Sequence, residues 1–564
     1  MEVRTPSQSM PVVFLIFVLG ISVFAGTSTL PGVAAAVNTG TPIDSCTEIN
    51  ESGNYYLNES LTSDSSKCIN VNATDVVFDG HGESIENSDT AVTITATTNA
   101  SNITVQNLTI RNAADEGVRT AVGSNSTRNL NFSNVTMENV NRGFYLPSSS
   151  ESTPRVGFAI RNSSINATSR AIYVFNDKVD QYDVELNDNF INTTTGQQGV
   201  RFSLTDDGTD LNVSMFDNTI ESAESGVSLN LERSHATTDL ELQGNEINAT
   251  GDSNDYAVYL KNSQAFGDIN TSTDVVATDN TLESNGTSLF LQLKGADGSR
   301  DIEFINNTIE ASDTVGEPNG FDVDTSGENT SVNFTAIDND IDSERGQLLF
   351  LEKHNQTLNA TIKRNTITKS EDTTKDGIRI EADGNRAPAS VSILNNTFTE
   401  SGTSLQTSLL RDNATMDVDI RGNDANDRMF VNYGGQDSKI EFDVTNNTVN
   451  ASGNGISLDE VSDEANQSAD IAVRDNIING IGGSQVSEIL VDASAPFSSA
   501  NITVSDNTLN ETATNEGLLV NADGDDMSVN ATIRNNTVSE APEISGIKTT
   551  VNGQNTIANV SLTN

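Results

Sequence analysis

One asparagine recurs sixteen times along this chain, each time with an apolar residue two or three positions later. The positions are Asn107, Asn134, Asn162, Asn189, Asn218, Asn245, Asn280, Asn307, Asn339, Asn365, Asn396, Asn423, Asn447, Asn476, Asn507 and Asn536, with a mean spacing of 28.6 residues. A unit of this length cannot bury an apolar face by itself. It does so only by stacking on its neighbours, which is the definition of a solenoid.

The text around Asn218 shows what the unit is made of. In TDLNVSMFDNTIESAESGVSLNLERS the apolar residues Leu211, Val213 and Met215 alternate with polar ones. Asn218 and Ile220 follow, and Gly226 opens a second alternating run through Val227 and Leu229. Period two is the strand signal, and no repeat carries the 3.6-residue period of a helix. Each repeat therefore reads as two or three short strands joined by turns.

Short strands that turn the same way in every coil make a parallel β-helix. The pattern resembles the right-handed parallel β-helix proteins, the group of pectate lyases, polygalacturonases and NosD-type surface or periplasmic proteins. It covers roughly residues 70–564. The resemblance implies an all-β, right-handed solenoid of about 17 coils whose recurring Asn is an internal ladder. Asn tolerates a left-handed turn, and its amide both donates and accepts, so stacked copies bond to one another. At about 4.8 Å per coil the rod is roughly 80 Å long. Spacings above 30 residues, such as 245 to 280 and 307 to 339, mark protruding loops. The text of the last strand, IANVSLTN, leads to the expectation of an open terminal coil that self-associates.

Residues 11–25 are apolar and follow Arg4, and Val33-Ala34-Ala35-Ala36 offers small residues for cleavage. This reads as a secretory signal peptide over 1–36. An N-terminal cap over 37–70 and the β-helix over 71–564 complete the division. No second hydrophobic segment follows, so no membrane span is expected after cleavage. Cys46 and Cys68 are the only cysteines. In an exported chain a lone close pair reads as a disulfide worth about 3 kcal/mol in loop-closure entropy. Thirty-one Asn-x-Ser/Thr sequons occur. Exposed ones are candidate glycosylation sites, whereas those on ladder positions such as Asn107 and Asn134 are expected to be buried.

The chain carries 80 acidic and 30 basic residues, a net charge of −50, and no Trp. The acids are spread over every repeat and form a solvated surface, which resembles proteins of extreme halophiles. In molar salt the screening length is about 3 Å, so self-repulsion is suppressed. No basic patch is expected on the chain, which argues against nucleic acid as a partner.

Few motifs carry chemistry. Gly80-His81-Gly82 matches the Gly-His-Gly of polygalacturonases, but without the carboxylate motifs that precede it in those enzymes. It fits the opening turn of a β-helix better. His235 and His354 stand in loop text. Asp206/Asp207 and Asp525/Asp526 are acid pairs of a kind that 80 acids produce by chance. Asp322-x-Asp324-x-Ser326-Gly327 resembles the start of a calcium loop, yet Asn333 stands where the closing Glu belongs. No cofactor is expected, and Ca²⁺ is the one ion to which the text points.

One column is less bland. Reading the outward residue of the strand after the Gly gives Arg119, Tyr145, Tyr173, Arg201, Ser228, Tyr259, Phe290, Asp322, Leu349 and Arg379. Tyr faces and Arg forks repeated every 4.8 Å or so suit an extended glycan. The same residues equally suit a self-stacking ladder that stabilises the sheet. The sequence thus reads as a secreted or cell-surface binding and structural module, with Arg119, Tyr145, Tyr173, Arg201, Tyr259 and Phe290 contacting polysaccharide. The rival is a polysaccharide lyase or glycosidase of the pectate-lyase-like group, with Arg201 or Arg379 as base. No catalytic residue is assigned. A NosD-like role in metal or cofactor delivery lacks the soft ligands it would use.

Overall fold

The computed structural model describes residues 40–564 apart from 96–100, 121–127, 148–152, 177, 206–208, 232–236, 252–253, 263–270, 313–317, 344, 352–354, 370–375, 384–385, 400–402, 452–453, 462–465, 481–486, 511–516, 540–545 and 564. The expected signal peptide, His235, His354 and the Asp206/Asp207 pair lie outside the described residues.

One coil explains the rest. Gln181–Asn187, Phe190–Thr193 and Val200–Leu204 are its three strands. In the first, Tyr182, Val184 and Leu186 are buried and the intervening residues are not, as period two requires. Each strand pairs in parallel with its counterpart one coil on: Tyr182 with Leu211, Ile191 with Ile220, Val200 with Val227. The chain is an all-β parallel solenoid with three faces, and no helix occurs among the described residues. Nineteen described strands line the third face. Two of them, Thr47–Ile49 and Lys67–Val71, belong to the segment read as the N-terminal cap, and the coil count differs slightly from the expected 17. Cys46 and Cys68 are joined by a disulfide across these two early coils. No described helix is long and apolar enough to cross a membrane.

The asparagine ladder is present, with one correction. From Asn189 to Asn507 the recurring Asn is buried, and its neighbour immediately before it takes the left-handed turn: Asp188, Asp217, Gly244, Asp279, Asn306 and so on. The ladder Asn does not need a positive φ itself. Asn107, Asn134 and Asn162 do have one (53°, 53° and 48°) and are partly or fully exposed. They belong to the outer column of turn residues, in register with Asp188. The internal position of that coil is taken by Ser163, whose N–H donates to Asn189 Oδ1 at 3.0 Å. The expectation that Asn107 and Asn134 are buried is therefore wrong. Two adjacent columns of Asn and Asp alternate one residue apart, and sequence spacing alone cannot tell them apart.

The core is a set of stacked columns. The apolar residue two places after each ladder Asn forms one: Ile191, Ile220, Ile247, Leu282, Ile309 and Ile341 are all buried. Phe132, Phe144 and Phe158 form an edge-packed aromatic layer with centroids 4.7–5.8 Å apart. The third face opens at a position held by Gly, Ala or Ser in most coils. At Gly143 a Cβ would lie 2.4 Å from the Ala171 carbonyl oxygen, so a larger residue must push the coils apart. Arg128, Arg300 and Arg411 are nevertheless fully buried. Arg300 donates to Thr271 Oγ1 at 2.7 Å and to the Gly295 carbonyl at 3.2 Å, and burial pushes its pKa down to about 10. In the final strand, Ile557 and Leu562 are exposed.

Candidate ligand-binding face

The third face aligns the expected column residue by residue. Arg119 pairs with Tyr145, Tyr145 with Tyr173, Tyr173 with Arg201, Arg201 with Ser228, Ser228 with Tyr259, Tyr259 with Phe290, and Phe290 with Asp322. The next member is Leu348, not Leu349. Leu349 is buried core, because a one-residue slip exchanges the two faces of a strand. Arg379 resumes the column and is bound to Glu381 and Asp376.

Ser228 separates two aromatic groups. In the first, Tyr145 and Tyr173 stack with centroids 5.4 Å apart and 15° between planes. In the second, Tyr259 and Phe290 stack at 5.7 Å and 4°, and Tyr256 packs on both at 5.0 and 5.3 Å. Stacking along the rod turns ring faces toward each other. What reaches outward is ring edge and phenol oxygen.

The sequence reading missed a second column, three residues before the first, comprising Glu116, Arg142, Arg170, Gln198, Ser225 and Tyr256. Its signal was the recurring frame of one residue, a small residue, an apolar residue and the outward residue, as in Arg142-Gly-Phe-Tyr145 and Arg170-Ala-Ile-Tyr173. The two columns interlock. The Arg142 guanidinium lies 4.4 Å from the Tyr145 centroid and Arg119 lies 5.2 Å from it. Arg170 and Arg201 lie 4.5 and 5.9 Å from Tyr173. Four arginines thus gather around two tyrosines, in cation–π geometry, on a chain with a net charge of −50. The sequence shows no basic run because these residues are about 28 apart along it. The coil stacks them. The argument from an absent basic patch is corrected accordingly.

Glu116 is buried and binds both Arg119 and Arg142 at 3.2 Å, while accepting from Thr90 Oγ1 at 2.8 Å. At the other end Gln198 Oε1 accepts from Arg170 Nε and Arg201 Nη1, each at 3.2 Å. Gln198 Nε2 donates to Glu224. Burial, then the facing guanidinium of Arg201, holds Arg170 below the ordinary arginine range.

The other candidates are turn or strand structure. His81 sits at φ 57° in an exposed turn, with its N–H on Asp79 Oδ1 at 2.8 Å and its ring edge against Tyr56. Asp322 and Asp324 lie on the strand Asn319–Ser326, not in a loop, and Asp324 accepts from Gln292 at 3.2 Å. No group of three or more His, Cys, Asp or Glu poised for a metal occurs among the described residues. Asp525 and Asp526 accept from Gln554 N and Asn555 Nδ2 one coil away. A groove of about 630 Å³ opens on the first face, where Gly157 and Ala159 take outward positions between Asn129, Asn131, Asp183 and Glu185. Comparison of the chain with protein-family models, curated proteins and solved structures finds no match.

Proposed function

We propose that this chain is an exported, extracellular or cell-surface binding rod that holds a polysaccharide or surface glycan along its third face. The observation that carries the reading is the Tyr145–Tyr173 stack with arginines on both tyrosines. Guanidinium N–H groups and phenol oxygens repeat at the coil spacing along an exposed sheet, which suits a ligand that is itself a repeat of hydroxyl and oxyanion groups. The apolar stretch at 11–25 supports export. The −50 charge supports work in concentrated salt, where such a surface stays hydrated and its repulsion is screened. The likeness to the pectate-lyase and NosD groups rests on the repeat alone.

The enzyme reading draws less support. A lyase or glycosidase needs several carboxylates and a base converging on one spot. Here the four arginines around Tyr145 and Tyr173 bind Glu116 or Gln198, and Arg379 binds Glu381. The test is co-sedimentation of the protein in molar salt with neutral and acidic polysaccharides, followed for both binding and new chain ends. Binding without cleavage, lost in a Tyr145→Ala/Tyr173→Ala variant that keeps its melting temperature in the absence of ligand, is the expected result. New reducing or unsaturated ends make the protein an enzyme. No binding to any polymer overturns the reading.

A further inference from the structure

The two ends of the Arg–Tyr array mirror each other along the rod, and the central acceptor differs. At one end Arg119 and Arg142 share the carboxylate of Glu116. At the other, Arg201 and Arg170 stand in the corresponding places, on the same two columns, and share the neutral carbonyl oxygen of Gln198. The carboxylate at this end, Glu224, is set behind Gln198 and engages its amide nitrogen. Among the described residues neither Arg170 nor Arg201 makes a salt bridge, and Arg201 Nε has no hydrogen-bond partner.

Two guanidiniums on one neutral acceptor repel each other, and Glu224, held on the Gln198 amide, offsets this at Arg170 only through space. Half-burial between the coils raises the cost, since screening by water weakens. Tyr173 offsets part of it through its ring face. The missing element is an anion, and guanidinium forks match an oxyanion in geometry as well as charge. We propose that Arg170 and Arg201, bridged by Gln198 on the Tyr173 platform, form an oxyanion site, and that Gln198 sets its selectivity by leaving the pair unneutralised. The polymer that delivers the oxyanion is the glycan of the reading above, and that part rests on that reading. The site itself does not.

Gln198→Glu is the sharp test, because it copies the Glu116 arrangement of the other end with no loss of side-chain volume. The probes are inorganic sulfate against chloride at matched ionic strength, and dextran sulfate against uncharged dextran. Wild-type protein binds dextran sulfate and not dextran. Gln198→Glu and Arg201→Gln each weaken dextran sulfate binding at least tenfold while circular dichroism stays native and melting in chloride is no lower than that of the wild type. Sulfate stabilises every folded protein to some degree, so the expected signal is the excess shift of the wild type over Gln198→Glu. Undiminished binding in both variants overturns the proposal, as does equal binding of dextran. An excess sulfate shift that both variants lose, with no polymer bound, keeps the oxyanion site and sinks the glycan reading. Neutral glycans bound equally by wild type and Gln198→Glu do the reverse.

Discussion

Asn218 Nδ2 donates to Asn245 Oδ1 at 2.9 Å, and the same oxygen accepts the Asn218 backbone N–H at 3.0 Å. Each rung therefore satisfies two donors of the rung before it. Its own amide nitrogen also reaches a strand carbonyl, as Asn280 does with Leu242 at 2.9 Å. Removing one rung strands buried groups on both sides. Asn280→Ala is expected to cost about 2–4 kcal/mol, since a buried unsatisfied group costs about 1–3 kcal/mol. Asn134→Gly, in the outer exposed column where the side chain makes one solvent-exposed hydrogen bond to Asn107 Oδ1 at 3.1 Å and glycine keeps the left-handed turn, is expected to cost about 0.5 kcal/mol or less. Denaturant titration of both variants in fixed salt checks this. Equal effects would show that burial of the ladder is not what holds it.

Arg364 occupies the left-handed turn position at φ 55°, where neighbouring coils use Asp, Asn or Gly. That backbone costs a branched or long residue about 1 kcal/mol more than Asn. The exposed pair with Asp338, at 2.6 and 2.7 Å, offsets some of this at low salt only. Arg364→Asn is expected to raise the melting temperature in molar salt by the equivalent of about 0.5–1 kcal/mol. A drop there would mean the pair matters more than the strain.

Burial pushes Glu460 and Glu488 up to about 7. Glu488 stands at the coil position that Gly, Ala or Ser holds in most coils, and neither of its oxygens has a hydrogen-bond partner. A carboxyl whose folded pKa is raised favours the folded state most when protonated. Its contribution is complete below the ordinary value of 4.5 and is lost as pH rises through about 7. Each group is worth up to about 3 kcal/mol. Stability is expected to fall from pH 5 to pH 8, and Glu488→Gln is expected to flatten that slope. An unchanged slope would place the titration elsewhere.

Asp239, Asp274 and Asp301 stand opposite one another on successive strands of the first face. Burial, then Asp239 and Asp301, raises the Asp274 pKa. Like charges directly opposite destabilise a sheet, and salt relieves them. Asp274→Asn should raise the melting temperature in 50 mM salt, by the equivalent of about 1 kcal/mol or less, and leave it unchanged in 2 M salt. Equal shifts at both salts would point to desolvation alone.

The period, the strand alternation and the Cys46–Cys68 pair were legible in the amino-acid sequence because each depends on residues close together or on a repeat that spacing preserves. The outward column from Arg119 to Phe290 was legible for the same reason, up to the slip at Leu349, where a single residue of register reverses inside and outside. Spacing could not separate the exposed Asn107, Asn134 and Asn162 from the buried ladder one position away, because both columns select Asn for different physical reasons. Nor could it show that Arg142 and Arg170 lie over Tyr145 and Tyr173, or that Gln198 stands where Glu116 stands at the other end. Those relations join residues roughly 28 apart, and which atoms meet is decided by the rotation of each coil on the next. The sequence by itself determined that the chain stacks. Only the tertiary structure decided which charges the stacking brings face to face, because Coulomb and hydrogen-bond energies depend on separations of a few ångströms that a repeat length does not specify.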